Sequence, residues 1–202
     1  MVAEQPIRTL RSADYRRMPW KNGGGETREI AVSPAHAALD VLDWRISLAT
    51  VASDGPFSVF DGITRTLSVL QGNGITLRVG DAPPTTLLTS SAPFTFDGAA
   101  ATSGSLVSGP ITDLNVMSRR GRARHVVARL MVHRTSEWTT AGDTTVILCR
   151  EGILNYSMDN SAGELNAQDC AIVYGKAQTV ALVAAQPADV YLIEIYLESL
   201  TR

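Results

Sequence analysis

Histidine, cysteine and net charge are all scarce in this chain of 202 residues. It has three histidines, two cysteines and a formal charge of −2 at pH 7. So small a charge provides no overall field that would attract nucleic acid or an anionic membrane. No apolar run approaches the roughly 18 residues that a membrane-spanning segment needs. The composition therefore predicts a protein with no nucleic-acid partner and no membrane association.

The histidines, His36, His125 and His133, are scattered, and neither H-x-H nor H-x-x-E occurs. Catalytic zinc, iron and manganese sites usually combine two or three histidines with a carboxylate. The sequence therefore predicts no metal and no cofactor. Cys149 and Cys170 lie in apolar strand-like contexts, which predicts buried free thiols. Since the N-terminal residues also lack the apolar core of a secretory signal, we expect a cytoplasmic protein.

Short alternations of apolar and polar residues, separated by turn signals, run through the whole chain. Arg65–Leu70 and Ile75–Val79, for example, flank Gly72-Asn73-Gly74, which is a hairpin signal. No segment keeps a 3.6-residue period. We predict a nearly all-β fold with little helix, arranged as a sandwich or a barrel.

The two halves of the chain resemble each other weakly. Leu67–Gly72 is similar to Val146–Glu151, and Asp113–Met117 falls opposite Tyr191–Ile195. Such self-similarity predicts two β units in tandem, and we divide them as residues 1–118 and 119–202.

Charge is distributed unequally between these units. Asp113 falls opposite Tyr191, and Arg65 falls opposite Thr144. Unpaired buried charge is costly, so a charged interior needs a ligand or a polar network. We therefore predict a binding site in the first unit and an ordinary packed core in the second.

The densest group of recognition side chains is the stretch Met18–Ile30, in which a Trp, a Lys and an Asn precede three consecutive glycines. Glycine lets the backbone adopt positive φ or approach a ligand closely. In the alternation that follows, Glu26 and Arg28 share one face. We interpret the stretch as a loop at a barrel mouth that directs Glu26 and Arg28 inward. A tight turn that is merely polar is the alternative.

Four motifs of the first half resemble the HutD/Ves family. They are Met18–Thr27, Trp44–Ser47 with Asp54–Ser58, Gly62–Arg65 and Asp113–Met117. The family is described as a double cupin, so the resemblance implies two tandem cupin-like β-barrels. HutD members accompany histidine-utilisation genes and are thought to restrain that pathway, whereas Ves members are associated with stress or cold. No feature of the sequence separates the two branches.

The candidate ligand-binding residues combine cations, carboxylates and neutral hydrogen-bonding groups. They are Trp20, Lys21, Asn22, Glu26, Arg28, Arg45, Ser47, Arg65, Asp113 and Asn115. Arginine binds carboxylates through paired N–H bonds, so the set suits a small carboxylate metabolite. The resemblance points to an intermediate of histidine breakdown, such as N-formylglutamate or urocanate. An internal salt-bridge network is the alternative.

Three functions compete. We favour a non-catalytic protein that binds the carboxylate and modulates its pathway, because metal ligands and a histidine-backed nucleophile are missing. A metal-independent cupin enzyme, an isomerase or lyase, would use Glu26 or Asp113 as general base and Lys21 or Arg65 to stabilise negative charge. A carboxylate pKa raised towards neutrality would support that reading. A regulator that binds a partner's acidic segment would have a site open along an edge strand. Edge-strand pairing also allows a homodimer, although no residue demands one.

Overall fold

The computed structural model describes residues 6–20 and 23–198. Antiparallel strands dominate these residues, and Ser12–Asp14 forms a short 3-10 helix. No helix in the described ranges is long and apolar enough to cross a bilayer. The strands are β1 (Ile7–Leu10), β2 (Arg16–Pro19), β3 (Gly25–Ser33), β4 (Trp44–Val51), β5 (Gly55–Pro56), β6 (Ile63–Gln71), β7 (Ile75–Val79), β8 (Thr85–Leu87), β9 (Phe94–Asp97), β10 (Thr102–Leu106), β11 (Ile111–Arg119), β12 (Ala123–Val132), β13 (Thr135–Thr139), β14 (Thr144–Glu151), β15 (Leu154–Met158), β16 (Ser161–Leu165), β17 (Cys170–Tyr174), β18 (Thr179–Val183) and β19 (Ala188–Leu197).

The described chain forms two compact units, which we call the first and the second barrel. The first contains residues 16–20, 23–124 and 198, and the second contains residues 6–15 and 125–197. The observed division thus differs from a split at residue 118. The N-terminal segment belongs to the second barrel because β1 pairs with β17, from Ile7 opposite Val173 to Leu10 opposite Cys170.

The first barrel consists of two antiparallel sheets. A six-stranded sheet has the order β2-β3-β4-β11-β6-β9, and a four-stranded sheet has the order β5-β10-β7-β8. Val51 and Leu67 of the larger sheet pack with Ile75 and Leu77 of the smaller one in a buried cluster, which we call the main apolar cluster. The side of β4, β6 and β11 that carries Val51 and Leu67 is therefore the inner face.

The second barrel repeats this plan with a five-stranded sheet, β1-β17-β14-β19-β12, and a four-stranded sheet, β13-β18-β15-β16. Its core includes Ile147, Val190 and Leu192. Cys149 and Cys170 are buried free thiols, as predicted. Burial raises the pKa of the Cys149 thiol to about 11, so it is unreactive at neutral pH.

Most predicted strands are confirmed, and Ile75–Val79 matches β7 from end to end. The apolar residues after the turn signal Asp54-Gly55-Pro56 also predict a short strand at Phe57–Phe60, and this prediction is wrong. This segment is irregular, and its backbone bonds to the Thr102 and Gly98 carbonyls. The short strands β2, β10, β13 and β16 were not predicted, because their many polar and small residues give weak strand signals.

Matching β-bulges correct the alignment of the two halves. In the first barrel the pairing of β6 with β11 shifts next to the Asp113–Val69 pair, and in the second the pairing of β14 with β19 shifts next to the Val190–Cys149 pair. The structural equivalent of Asp113 is therefore Val190, and the predicted equivalence with Tyr191 is wrong. A slip of one residue exchanges the two faces of a strand, and sequence similarity alone did not fix it.

Candidate ligand site in the first barrel

The inner face of the first barrel carries polar side chains between two apolar clusters. Along β11 the inward residues are Ile111, Asp113, Asn115 and Met117. Ile111 belongs to the main apolar cluster, whereas Met117 packs in a smaller cluster with Leu42. Asp113 and Asn115 therefore occupy a level of the barrel that is closed by apolar side chains on both sides.

Cross-strand pairing places further polar groups at this level and beside Met117. Ser47 lies opposite Asn115, and Arg45 and Arg65 lie opposite Met117 on either side of β11. Two strand spacings separate the arginines, so their Cα atoms are about 10 Å apart. Together with a glutamate of β3, these side chains form what we call the polar layer: Glu29, Arg45, Ser47, Arg65, Asp113 and Asn115.

The Arg65 side chain lies at the centre of an aromatic cage. Its guanidinium carbon is 5.2 to 5.6 Å from three ring centroids, those of Phe57, Phe60 and Phe96. Nε and Nη2 donate to Asn115 Oδ1 at 3.3 and 3.2 Å, and Nη1 donates to the Ser58 carbonyl at 3.4 Å. The cage contributes cation–π attraction but no counter-charge.

Among the described residues, no carboxylate lies within ion-pair distance of Arg65. Burial lowers the pKa of Arg65 to about 10, although the charge of Asp113 opposes this shift. Burial likewise raises the pKa of Asp113 to about 7, and Arg65 opposes it. The two groups therefore feel each other's charge without forming a direct ion pair.

Two buried oxygens of the polar layer, Asp113 Oδ1 and Ser47 Oγ, have no hydrogen-bond partner in the described chain. Their residues are 2% and 1% exposed. An unsatisfied buried polar group costs about 1–3 kcal/mol. Asn115 uses its carbonyl oxygen for Arg65, which leaves its NH₂ group as a further donor. The layer therefore has unused hydrogen-bonding capacity around one cation.

Glu29 and Arg45 form the satisfied part of the layer. Arg45 Nε donates to Glu29 Oε2 at 2.7 Å, and both side chains are largely buried. Arg16, at the exposed edge, approaches the same carboxylate at 4.0 Å. Sequence reasoning missed Glu29 because it assigned the opposite face of β3 to the interior.

The prediction that Glu26 and Arg28 point inward is wrong. Glu29 lies opposite Ser47 on the inner face, so residues one position away lie on the other side of β3. There Glu26 approaches the exposed Arg17 at 3.7 Å. Alternation shows which residues share a face, but it does not show which face meets the core.

The three glycines lie just before and at the start of β3. Gly23 has a φ of 70°, and a Cβ at Gly25 would lie 2.1 Å from the Thr50 carbonyl oxygen. Trp20 packs against the main apolar cluster and donates from Nε1 to Thr27 Oγ1 at 2.8 Å. The structure thus gives Trp20 a packing role. Lys21 and Asn22, also predicted as ligand-binding, lie outside the described residues.

A surface cleft of about 390 Å³ opens beside the polar layer. Phe60 lines this cleft, and its ring centroid is 5.6 Å from the Arg65 guanidinium carbon. Arg119 also lines the cleft and donates to the Asp40 and Leu42 carbonyls at 2.8 Å. Phe60 is therefore a side chain shared by the cleft lining and the aromatic cage of Arg65.

The inner face of the second barrel also carries a buried carboxylate, Glu194, where the sequence predicted an ordinary packed core. Glu194 lies opposite Thr145, and it accepts bonds from Thr145 Oγ1 at 2.7 Å and Trp138 Nε1 at 2.7 Å. The Gly142 and Ala141 amides donate to it at 2.6 and 3.4 Å. Protein groups therefore satisfy this carboxylate on both oxygens.

No metal site is evident in residues 6–20 and 23–198. Nowhere in these ranges do three His, Cys, Asp or Glu side chains lie together in a group that could hold a metal ion. His125 is partly buried, which lowers its pKa to about 4.

The model of the HutD family matches residues 12–192. An uncharacterized 21.2 kDa protein in the hutC 3′ region of Pseudomonas putida is 35% identical over 178 residues, which cover 87% of this chain and 91% of that protein. The protein Ves of Citrobacter koseri is 40% identical over 115 residues, which cover 55% of this chain and 59% of Ves. These matches confirm the resemblance seen in the motifs.

Solved structures support both the family match and the fold. The structure of HutD from Pseudomonas fluorescens SBW25 superposes with a TM-score of 0.82 at 30% identity and covers 96% of this chain and 100% of that one. A cupin 2 conserved barrel domain protein from Leptotrichia buccalis reaches a TM-score of 0.55 at 11% identity, covering 84% and 88% of the two chains. The second likeness shows the fold alone and confirms the predicted all-β cupin architecture.

Proposed function

Because the chain belongs to the HutD family of cupin-fold proteins, we propose that the polar layer of its first barrel binds a small carboxylate metabolite and that this binding modulates a metabolic pathway. The name of the P. putida relative places that protein in the hutC 3′ region, which favours a histidine-utilisation intermediate. N-formylglutamate is the first candidate ligand, and urocanate is the second.

The observation that carries this proposal is the buried Arg65 guanidinium without a carboxylate partner among the described residues. A ligand carboxylate beside it would supply the missing counter-charge through charge-assisted bonds. Ser47 and the NH₂ group of Asn115 would add neutral donors. Asp113, when protonated, would add an O–H donor, a role that buried carboxyl groups with raised pKa values can fill.

The charge count of the layer also favours an anion. Glu29 and Arg45 compensate each other at 2.7 Å. With Asp113 in its acid form, Arg65 leaves one uncompensated positive charge. A monovalent anionic group would neutralise it inside a site where water is largely excluded, so the attraction would be strong.

A thermal-shift titration with N-formylglutamate and urocanate tests the proposal. Ligand at 100 times its dissociation constant should add about 2.7 kcal/mol of stability. Arg65→Met removes the cation but leaves an unbranched apolar chain among the rings, so it should keep the fold and abolish the shift. Arg78→Ala, which removes an exposed arginine of the same barrel, is the matched control. The proposal fails if neither compound shifts the parent, or if Arg65→Met responds like Arg78→Ala.

One observation favours the enzyme alternative. The pKa of Asp113, raised by burial to about 7, is the value that suits a general base at neutral pH. Arg65 would then stabilise negative charge on the substrate. Incubation with either compound, followed by proton NMR, tests this function: turnover should appear and be lost in Asp113→Asn. An unaltered compound after prolonged incubation with excess protein would leave binding as the function.

A further inference from the structure

Few ionisable groups face Asp113. On the inner face of the larger sheet they are Glu29 of β3, Arg45 of β4 and Arg65 of β6, with the exposed Arg16 of β2 at the edge. On β9, Phe96 lies opposite Arg65, which places Asp97 on the other face. From the smaller sheet, β7 contributes Ile75 and Leu77, its Arg78 is exposed, and β5, β8 and β10 contain no ionisable residue.

Pairing within this set singles out two groups. Glu29 binds Arg45 at 2.7 Å, so their charges cancel locally. Arg65 and Asp113 remain, and Asp113 Oδ1 has no hydrogen-bond partner in the described chain. The layer is therefore neutral when Asp113 is ionised and carries one positive charge when Asp113 is protonated.

We infer that carboxylate binding in the first barrel is coupled to the uptake of one proton by Asp113. This inference rests on the proposed function. A carboxylate placed on Arg65 cancels the positive charge that favours ionised Asp113, and it adds a negative charge to the same enclosed layer. Two carboxylates that share a dry site do not both stay ionised. The proton comes from solvent, and protonated Asp113 then donates its O–H to the ligand.

The direction of the pH dependence follows from the charges. Arg65 lowers the pKa of Asp113, and burial holds that pKa at about 7 in the free protein. Bound anion removes the lowering influence and adds repulsion, so the pKa rises further in the complex. Below pH 7 the acid form already predominates and no proton is taken up. Above pH 7, up to the pKa of the complex, the dissociation constant should increase about tenfold per pH unit.

Isothermal titration calorimetry of the unmodified protein at pH 7.5 tests this coupling. N-formylglutamate is the first probe and formate the second, since carboxylates of this kind do not titrate near neutral pH. Titrations in phosphate, HEPES and Tris separate proton uptake from binding heat, because these buffers differ in ionisation enthalpy. We expect uptake approaching one proton per site and about tenfold weaker binding at pH 8.5 than at pH 7.5.

Asp113→Asn keeps a hydrogen-bond donor at this position but does not titrate. It should bind with no proton uptake and with a dissociation constant that is flat between pH 6.5 and 8.5, whereas Arg78→Ala should behave like the parent. Binding without buffer-dependent heat, binding with proton release, or the same pH slope in Asp113→Asn would overturn the coupling and leave the binding function standing. Absence of binding by both probes would overturn the coupling, and it would overturn the proposed function as well if urocanate also fails to bind.

Discussion

Glu194 in the second barrel and Asp113 in the first are both buried carboxylates on an inner face, but their surroundings differ. Glu194 accepts bonds from a tryptophan, a threonine and two backbone amides. Asp113 Oδ1 accepts none from the described residues. A satisfied buried network stabilises its fold, whereas an unsatisfied group costs free energy. The unsatisfied oxygen of Asp113 thus costs the first barrel free energy, and a ligand that bonds to this oxygen would remove that cost.

Equivalent strand positions show how the difference arises. Arg65 lies opposite Met117 in the first barrel, and its equivalent Thr145 lies opposite Glu194 in the second. Thr145 donates to Glu194 at 2.7 Å, so that pair is complete within the protein. Arg65 faces an apolar methionine and has to find its counter-charge elsewhere. The same strand position therefore completes a hydrogen bond within the second barrel, whereas in the first barrel it provides a cation that an anion could bind.

The largest change in stability is expected when the hydrogen-bond network of Glu194 is removed. Glu194→Ala should lower the free energy of unfolding by about 5 kcal/mol, because it leaves several buried donors without an acceptor. Urea denaturation followed by tryptophan fluorescence measures this, since Trp138 reports on the second barrel. Glu198→Ala, which removes an exposed glutamate, should change stability by less than about 0.5 kcal/mol. Equal effects of the two substitutions would contradict the structural role of Glu194.

For a substitution of Asp113 we expect the opposite change, an increase in the free energy of unfolding. Its pKa of about 7 in the folded protein lies above the value of about 4 in an unfolded chain, so the folded state is favoured below pH 4 and this advantage is lost as pH rises through 7. Asp113→Asn should therefore raise the free energy of unfolding by up to about 4 kcal/mol above pH 7, with little gain at pH 4. Denaturant titrations at both pH values measure this. A gain that does not depend on pH would disprove the assignment.

A smaller effect separates the two glutamates of β3. Glu29→Gln should destabilise the protein by about 2 kcal/mol, because Arg45 then keeps a buried charge without its counter-ion. Glu26→Gln, three positions earlier on the other face, should cost less than about 0.5 kcal/mol. Thermal unfolding of the pair measures both. A larger loss of stability for Glu26→Gln than for Glu29→Gln would instead support the sequence-based prediction that Glu26 points inward.

The smallest effects distinguish a binding hydroxyl from a structural one. Ser47→Ala removes a buried hydroxyl without a partner among the described residues, so it should raise the free energy of unfolding of the free protein by about 1 kcal/mol and weaken carboxylate binding several-fold. Thr145→Val removes a donor to Glu194, so it should cost about 1 kcal/mol of stability and leave binding unchanged. Paired stability and calorimetry measurements test both, and a loss of stability in Ser47→Ala would show that its hydroxyl is already satisfied.

Sequence patterns were sufficient where a single strand decides the outcome. Arg45 and Ser47 share the inner face of β4, and Asp113 and Asn115 share that of β11, because side chains alternate with a period of two. Which face of β3 points into the barrel was not predictable in this way. Its register depends on the pairing with β4, which shifts after Glu29, and no pattern within β3 records that pairing.

Other features depend on residues that are distant in the sequence. The aromatic cage of Arg65 includes Phe57 and Phe60 from an irregular segment, and nothing in their local sequence indicates that the rings meet a guanidinium. The pairing of β1 with β17 likewise joins the N-terminal segment to a strand in the second half of the chain. The network around Glu194 escaped prediction because its donors include backbone amides, which have no side-chain signature.

The most direct test of the central claim follows side-chain N–H signals during a titration with N-formylglutamate. Proton–nitrogen NMR resolves the Nε–H of Arg65 and the NH₂ of Asn115, and the indole N–H of Trp138 in the second barrel serves as an internal control. We predict saturable shifts of the Arg65 and Asn115 signals with one dissociation constant, while the Trp138 indole signal does not shift. Unmoved Arg65 and Asn115 signals at saturating ligand, or a saturable shift at Trp138 alone, would contradict a carboxylate site in the first barrel.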